Sequence, residues 1–243
     1  MNALLLAAGY GSRLKPMTDT VPKCLVSING RPLMDYWLEL LSGTQEITKI
    51  LINTHYLPEA VRRYVTKQKY NVAIELIHEP DLLGTAGTVR SIMPMVAGDD
   101  LLVAHADNLT VFDVKDFINS HRNRPERCVA TMMSFETDNP SSCGIIQLDG
   151  EGVLQSFYEK ISDPPGTLAN AAVFLFSPEA LDIMRRSSGV QINDISADFV
   201  PNMLGRIWVY HNDIYHRDIG TPESLAAAEK EFQKIDKSSK SEG

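Results

Sequence analysis

The chain has 243 residues, 44% hydrophobic and 22% charged, with 23 Lys and Arg against 31 Asp and Glu for a net charge of −8. A globular chain of this size buries a core without staples, and its acidic balance disfavours non-specific nucleic-acid binding. Cys24, Cys128 and Cys143 are far apart, with no C-x-x-C and no Cys/His cluster, so a disulfide framework and a structural zinc are not expected.

No run approaches the ~20 apolar residues of a membrane span. The segment Ala3 to Ala8 is too short for a signal-peptide core and has no basic stretch before it. These features predict a cytoplasmic protein with no membrane partner. In chain order, Asn2 to Leu6 reads as a buried strand, Pro32 to Leu41 as a helix, and "ITKILINTHY" as a second strand. "PEAVRRYVTKQ", "NVAIELIHE", "TAGTVRSIM" and "DLLVAHADN" continue the alternation as helix, strand, helix and strand, which predicts a parallel α/β sheet.

The pattern changes after helical "DVKDFINSHRN". Strand-like "RCVATMMSF", "GIIQLD", "GVLQSFYEK" and "NAAVFLF" follow with little helix between them, and Leu148 to Gly152 reads as a hairpin turn. "SPEALDIMRRS" and "ISADFVPNML" read as helices, "RIWVYHND" as a strand and "TPESLAAAEKEFQKI" as the last helix. With no linker or repeat, residues 1–235 are expected to form one domain and 236–243 a disordered tail.

The first strand runs into Ala7-Ala8-Gly9-Tyr10-Gly11-Ser12-Arg13. A dinucleotide fingerprint needs a third glycine where Leu14 stands, and no G-x-x-x-x-G-K-[ST] occurs, so neither a Rossmann fingerprint nor a P-loop is present. Glycines that expose backbone N–H groups beside Arg13 and Lys23 suit a phosphate, whereas a surface loop with solvated cations explains the glycines alone equally well. His55, His105 and His216 read as hydrogen-bonding residues, and Met132 and Met133 as core.

The longer composite decides between these readings. Leu6-Ala7-Ala8-Gly9-x-Gly11-x-Arg13-Leu14-x-Pro16-x-Thr18, then Pro22-Lys23-x-Leu25 and Gly30-x-Pro32-Leu33, closely resembles the opening signature of the sugar-1-phosphate nucleotidyltransferase family. "LLGTAGTV", "FYEKISDPPGTLANAAVFLF" and "YHRDIGTPESLAAAEK" resemble later segments of the same family, nearest to its short guanylyl- and uridylyltransferase-like members.

The resemblance implies a Rossmann-like α/β/α sandwich with a mostly parallel central sheet and a small antiparallel insertion. It implies nucleotide contacts from Leu6, Ala7, Ala8, Gly9, Gly11, Ser12, Gly84, Thr85 and Ala86. It further implies catalytic Arg13, Lys23 and Lys160, sugar-phosphate contacts from Glu159, Lys160 and Asn170, and Mg²⁺ held by Asp107 and Asp218. Ala106 stands where the family usually has glycine before that first aspartate.

The implied reaction joins a nucleoside triphosphate to a sugar 1-phosphate by in-line attack on the α-phosphorus, mannose or heptose 1-phosphate with GTP being the leading pair. A uridylyl- or cytidylyltransferase and a catalytically silent nucleotide-sugar sensor are the alternatives. A monomer or homodimer is expected, because no hexapeptide repeat of the trimer-forming kind follows.

Overall fold

A computed structural model of the chain describes residues 1–96, 98–186 and 192–239. Strand β1 (Asn2–Leu6) is buried along its whole length. Its side chains alternate between two cores, Leu4 and Leu6 on one face and Ala3 and Leu5 on the other, as the period of two requires. The glycine turn follows, then a small hairpin of β2 (Ser27–Ile28) and β3 (Arg31–Pro32) that leads into α1 (Leu33–Ser42).

Next come β4 (Lys49–Thr54), α2 (Pro58–Lys67), β5 (Ala73–His78), α3 (Thr85–Ile92) and β6 (Leu101–His105). Strands β6, β1, β4 and β5 lie side by side and all parallel, with Leu6 opposite Asn53 on one side and His105 on the other. All four carboxyl ends therefore open on the same edge of the sheet. The chain turns to opposite sides of β1 in reaching β4 and β6, so a switch point lies beside β1, where open α/β sheets leave a crevice.

The second half adds β7 (Asn108–Val111), α4 (Val114–Arg122), β8 (Ala130–Glu136), β9 (Gly144–Leu148), β10 (Leu154–Glu159) and β11 (Leu168–Phe176). It ends with α5 (Pro178–Arg186), β12 (Ile207–His211), β13 (Tyr215–Asp218) and α6 (Pro222–Ser239). The expected antiparallel portion is continuous with the parallel one. Strand β11 runs antiparallel to β6 over Val173–Phe176 and pairs β8 on its other side, while β9 and β10 form the outer edge. Met132 and Met133 are fully buried on opposite faces of β8, as core residues.

Three local expectations change. "ISADFVPNML" is a π-helical turn at Ile195–Phe199 followed by a 3₁₀ turn at Val200–Met203, because Pro201 has no N–H to continue a regular ladder. Strands β7 and β13 carried no local signal: each has four residues, and their pairing joins Asn108 to Asp218 across the chain. Helix α6 continues through Ser239, four residues into the segment expected to be a disordered tail, and residues 240–243 lie outside those described. Among the described residues no helix is long and apolar enough to cross a membrane.

Candidate active site

The carboxyl ends of β1, β4, β5 and β6 carry the glycine turn, Asn53, Glu79 and Asp107. A separate apolar cluster fixes the remaining charged groups. Leu14, Leu33, Leu109, Ile219 and Leu225 are buried together, which ties Arg13 and Asp218, the neighbours of Leu14 and Ile219, to the same side of the molecule. Burying a leucine of this kind contributes about 1.5–3 kcal/mol, enough to hold adjacent polar residues in place.

Lys23 is the centre of the cluster. It is only 8% exposed, and its ammonium donates to Asp107 Oδ2 at 2.6 Å and lies 3.6 Å from Asp218 Oδ1. Arg13 stands 3.9 Å from the other Asp218 oxygen. Four residues from three distant parts of the sequence thus converge. Burial acts to raise the Asp107 carboxyl, but Lys23 and His105 outweigh it and hold the group below the usual carboxylate range. Trp37 supports the turn from beneath, its indole N–H donating to the Asn108 carbonyl at 2.8 Å.

The glycine turn wraps this cluster. Gly11 has φ +64°, and a Cβ there would sit 2.9 Å from Lys23 Cβ, so the position demands glycine both for its conformation and for the close approach. Thr18 pins the turn by donating to the Gly11 carbonyl at 2.8 Å. Leu6, Ala7, Gly9, Gly11, Ser12, Arg13, Lys23, Cys24, Asp107 and Gly220 line a cavity of about 190 Å³. Cys24 is no nucleophile there, since burial and then Asp107 push its thiol up to about 12.

A second cavity, about 220 Å³, adjoins the first and shares Leu6, Gly9 and Asp107 with it. Ala8, Gly84, Thr85 and His105 also line it. Gly84, not Thr85, is the residue before the first turn of α3. Thr85 instead ties α3 to the segment after α5, donating to Asp194 at 3.1 Å and accepting from the Ile195 amide at 2.7 Å. The Ala86 amide donates to the Asn193 carbonyl at 3.0 Å, so it is already satisfied.

On the proposed sugar side, Glu159 ends β10 and Asn170 lies in β11. A Glu-Lys pair on a strand should point to opposite faces, but Lys160 has left β10 with φ +49° and pairs with its own neighbour, Glu159 Oε1, at 3.0 Å. Its amide donates to the Cys143 carbonyl at 3.2 Å. Cys143 in turn lines a third cavity, about 310 Å³, together with Arg13, Asp218 and Arg217. Asn170 is engaged internally, accepting from the Ala172 amide at 2.9 Å and donating to Ser196 at 3.0 Å. Those bonds stabilise a register shift in β11, and Ala171 there accepts from Asn108 at 3.3 Å.

His55 and His216 make hydrogen bonds, as the sequence reading has them, whereas His105 lies 3.9 Å from Asp107. His55 bridges the Glu79 carbonyl at 2.8 Å and the Tyr10 hydroxyl at 2.9 Å. His216 bonds Thr110 at 2.8 Å, and burial, then His105 and Arg217, push its imidazole down to about 3, so it stays neutral. Asp218 is left for the cluster because Thr221 caps α6, accepting from the Ser224 amide at 3.2 Å.

The sequence reading missed Asn53 and Glu79. A polar Asn inside the apolar run "KILIN" and a carboxylate one residue beyond a strand were the available signals.

Comparison with known proteins gives a consistent assignment. The family described as nucleotidyl transferase matches residues 2–235. A Sulfolobus acidocaldarius chain provisionally assigned as a mannose-1-phosphate guanyltransferase is 30% identical over 226 residues, covering 91% of this chain and 60% of that one. The Candida albicans mannose-1-phosphate guanyltransferase is 27% identical over 233 residues, covering 93% and 62%. The chain therefore spans about 60% of the length of these curated relatives. A Bacillus anthracis structure provisionally assigned as a glucose-1-phosphate thymidylyltransferase, with sucrose bound, superposes with a TM-score of 0.81 at 22% identity. It covers 95% of this chain and 94% of that one, and shares the fold.

Proposed function

The chain belongs to the nucleotidyl transferase family, and from that premise we propose that it joins a nucleoside triphosphate to a sugar 1-phosphate with release of pyrophosphate. The specific reaction proposed is guanylyl transfer to mannose or heptose 1-phosphate, supported by the names of the relatives above. The observation that carries the reading is the buried Lys23 ammonium facing Asp107 and Asp218 at the open edge of four parallel strands, with Arg13 beside it.

The chemistry needs little more. A phosphomonoester has its second pKa near ~6 and is largely dianionic at neutral pH, so the attacking oxygen needs no general base. The task is to bring anions together and stabilise charge on the departing pyrophosphate, which positioned cations and N–H groups accomplish. Arg13 and the Gly9–Ser12 backbone hold the β- and γ-phosphates, and Lys23 stabilises the α-phosphate. Lys160, 64% exposed on a long stem, exchanges Glu159 for the incoming phosphate at little cost. Glu159 and Asn170 are the proposed contacts on the sugar side.

Asp107 and Asp218 fit a Mg²⁺ ion: both present hard oxygen donors to the single cation between them, here the Lys23 ammonium. Among the described residues no third His, Cys, Asp or Glu joins them in metal-binding geometry. When bound, the ion would act as a Lewis acid and template for the phosphates.

A matrix of four nucleoside triphosphates against a panel of sugar 1-phosphates, with pyrophosphate as the readout, tests the proposal. Release with GTP and mannose or heptose 1-phosphate is expected. Release only with another pair would replace the specific reaction, and none with any pair would sink the proposal in favour of a silent sensor.

A further inference from the structure

We propose that a cavity between α3 and α5, apart from the candidate active site, binds a small monoanionic carboxylate with a flat apolar body. The site stands whether or not the chain transfers nucleotides. Val89 and Ile92 of α3 share a core cluster with Ala180 and Met184 of α5. Toward the end of α3 and the 3₁₀ turn Met93–Met95 that follows it, the two helices leave a cavity of about 410 Å³. That is within the ~300–1,000 Å³ of small-molecule sites. Among the described residues, none that lines it lines any of the three cavities at the candidate active site.

Met93, Pro94, Val96 and Leu181 give the cavity apolar surface for a ring. Its charged groups come from both helices. On α5, Asp182 and Arg185 are three residues apart and so share a face. Asp182 accepts from Arg185 and also pairs with Arg186 at 2.6 Å, so its charge is met within α5 itself.

Arg90, at the end of α3, is in a different position. Among the described residues no carboxylate lies within ion-pair distance of it, and its buried Nη1 has no hydrogen-bond partner. An N–H of a charged group left unpaired away from water is costly. A guanidinium does not shed its proton, so only an acceptor brought from outside completes it. With Asp182 and Arg185 paired, Arg90 is the one unbalanced charge on the described wall, which matches an anion of single charge. A carboxylate meets the planar guanidinium fork through two parallel hydrogen bonds, while the apolar surface takes the body of the ligand.

Isothermal titration calorimetry of the full chain with 2-naphthoate, and with its uncharged counterpart 2-naphthamide, tests this. 2-Naphthoate is expected to bind saturably at one site. The amide on the wild type, and 2-naphthoate on R90M, should each bind about tenfold or more weakly, the loss of one charge-assisted pair. GTP with Mg²⁺ should leave the affinity for 2-naphthoate unchanged, because the cavities share no lining residue. No saturable binding up to millimolar concentration, equal affinity for the amide, an unchanged affinity in R90M, or displacement by GTP would each overturn the proposal. The amide comparison decides if R90M does not fold. A dimer seen by sedimentation for the wild type and lost in R90M would give the cavity to a second copy of the chain, and would also overturn it.

Discussion

Replacing Lys23 by methionine keeps most of the side-chain volume and removes the one cation shared by Asp107 and Asp218. The ammonium lies 2.6 Å from one carboxylate and 3.6 Å from the other. At an effective dielectric near 20 those separations correspond to attractions of about 6 and about 5 kcal/mol before desolvation is subtracted. Desolvating a buried ammonium offsets much of this, and removing one partner of a buried pair typically costs ~3–5 kcal/mol. Asp107 keeps 31% of its side chain exposed, so water recovers part of the loss and about 2–3 kcal/mol is the expected destabilisation. A domain with ~5–15 kcal/mol of stability still folds after that loss. Turnover should fall by about 10²–10³, the usual effect of deleting one preorganised charge at a reacting phosphate. The double variant K23M/D107N separates the two roles. Removing the stranded carboxylate should restore part of the stability in urea unfolding while pyrophosphate release stays low. A K23M enzyme that is destabilised yet turns over within about threefold of wild type would make Lys23 a structural counter-ion, and the proposed chemistry would be wrong.

Gly84→Ala should destabilise the fold by more than ~1 kcal/mol and raise KM for the triphosphate, because the position has φ +74° and the new Cβ would stand 2.4 Å from the Asn193 carbonyl oxygen. A normal melting temperature with a normal KM would show that the 84–86 segment tolerates displacement. His121 supplies a pH prediction away from the site. It is buried against Thr131, and burial lowers its imidazole from the ordinary 6.5, despite Asp100. The unfolded chain then binds a proton that the folded one resists, so this contribution is complete above about pH 6.5 and is lost as pH falls toward the lower folded value. His121→Leu should flatten the dependence of unfolding free energy on pH below 6.5, and an unchanged slope in urea titrations would refute the assignment.

The parallel half of the fold is legible because each strand there is a short apolar run closed by a turn signal, and each helix has local spacing of its own. Strands β7 and β13 lack any such signal, being defined by a pairing partner more than a hundred residues away. The same distinction holds for the site. Arg13, Lys23, Asp107 and Asp218 stand in motifs with fixed spacing, and they converge. Lys160 and Asn170 stand in matching motifs too, but a left-handed backbone at Lys160 and a register shift beside Asn170 decide where those side chains go. Spacing along the chain carries no information about either. Glu79 escaped for the opposite reason. Its burial and its hydrogen bonds to Asn53 and Thr88 are features that only packing reveals.

Asn53 joins two strand ends of the candidate site into one rigid unit. Its side-chain oxygen accepts from the Ala7 amide at 2.7 Å, fixing the start of the glycine turn, while its amide donates to Glu79 Oε1 at 2.9 Å. A single buried residue on β4 thus holds the glycine turn after β1 and Glu79 after β5 at a set separation. All three strands lie in the same parallel register, so the sheet itself resists any change in that separation. On the proposed function, the arrangement lets an acidic protein hold a polyanion. Glu79 lies along the sheet edge at the end of β5, and Arg13 and Lys23, the cations proposed to meet the phosphates, gather around Asp107 and Asp218. Shortening Asn53 would free both ends together, so the placement of the glycine turn and of the end of β5 is physically one property of this edge.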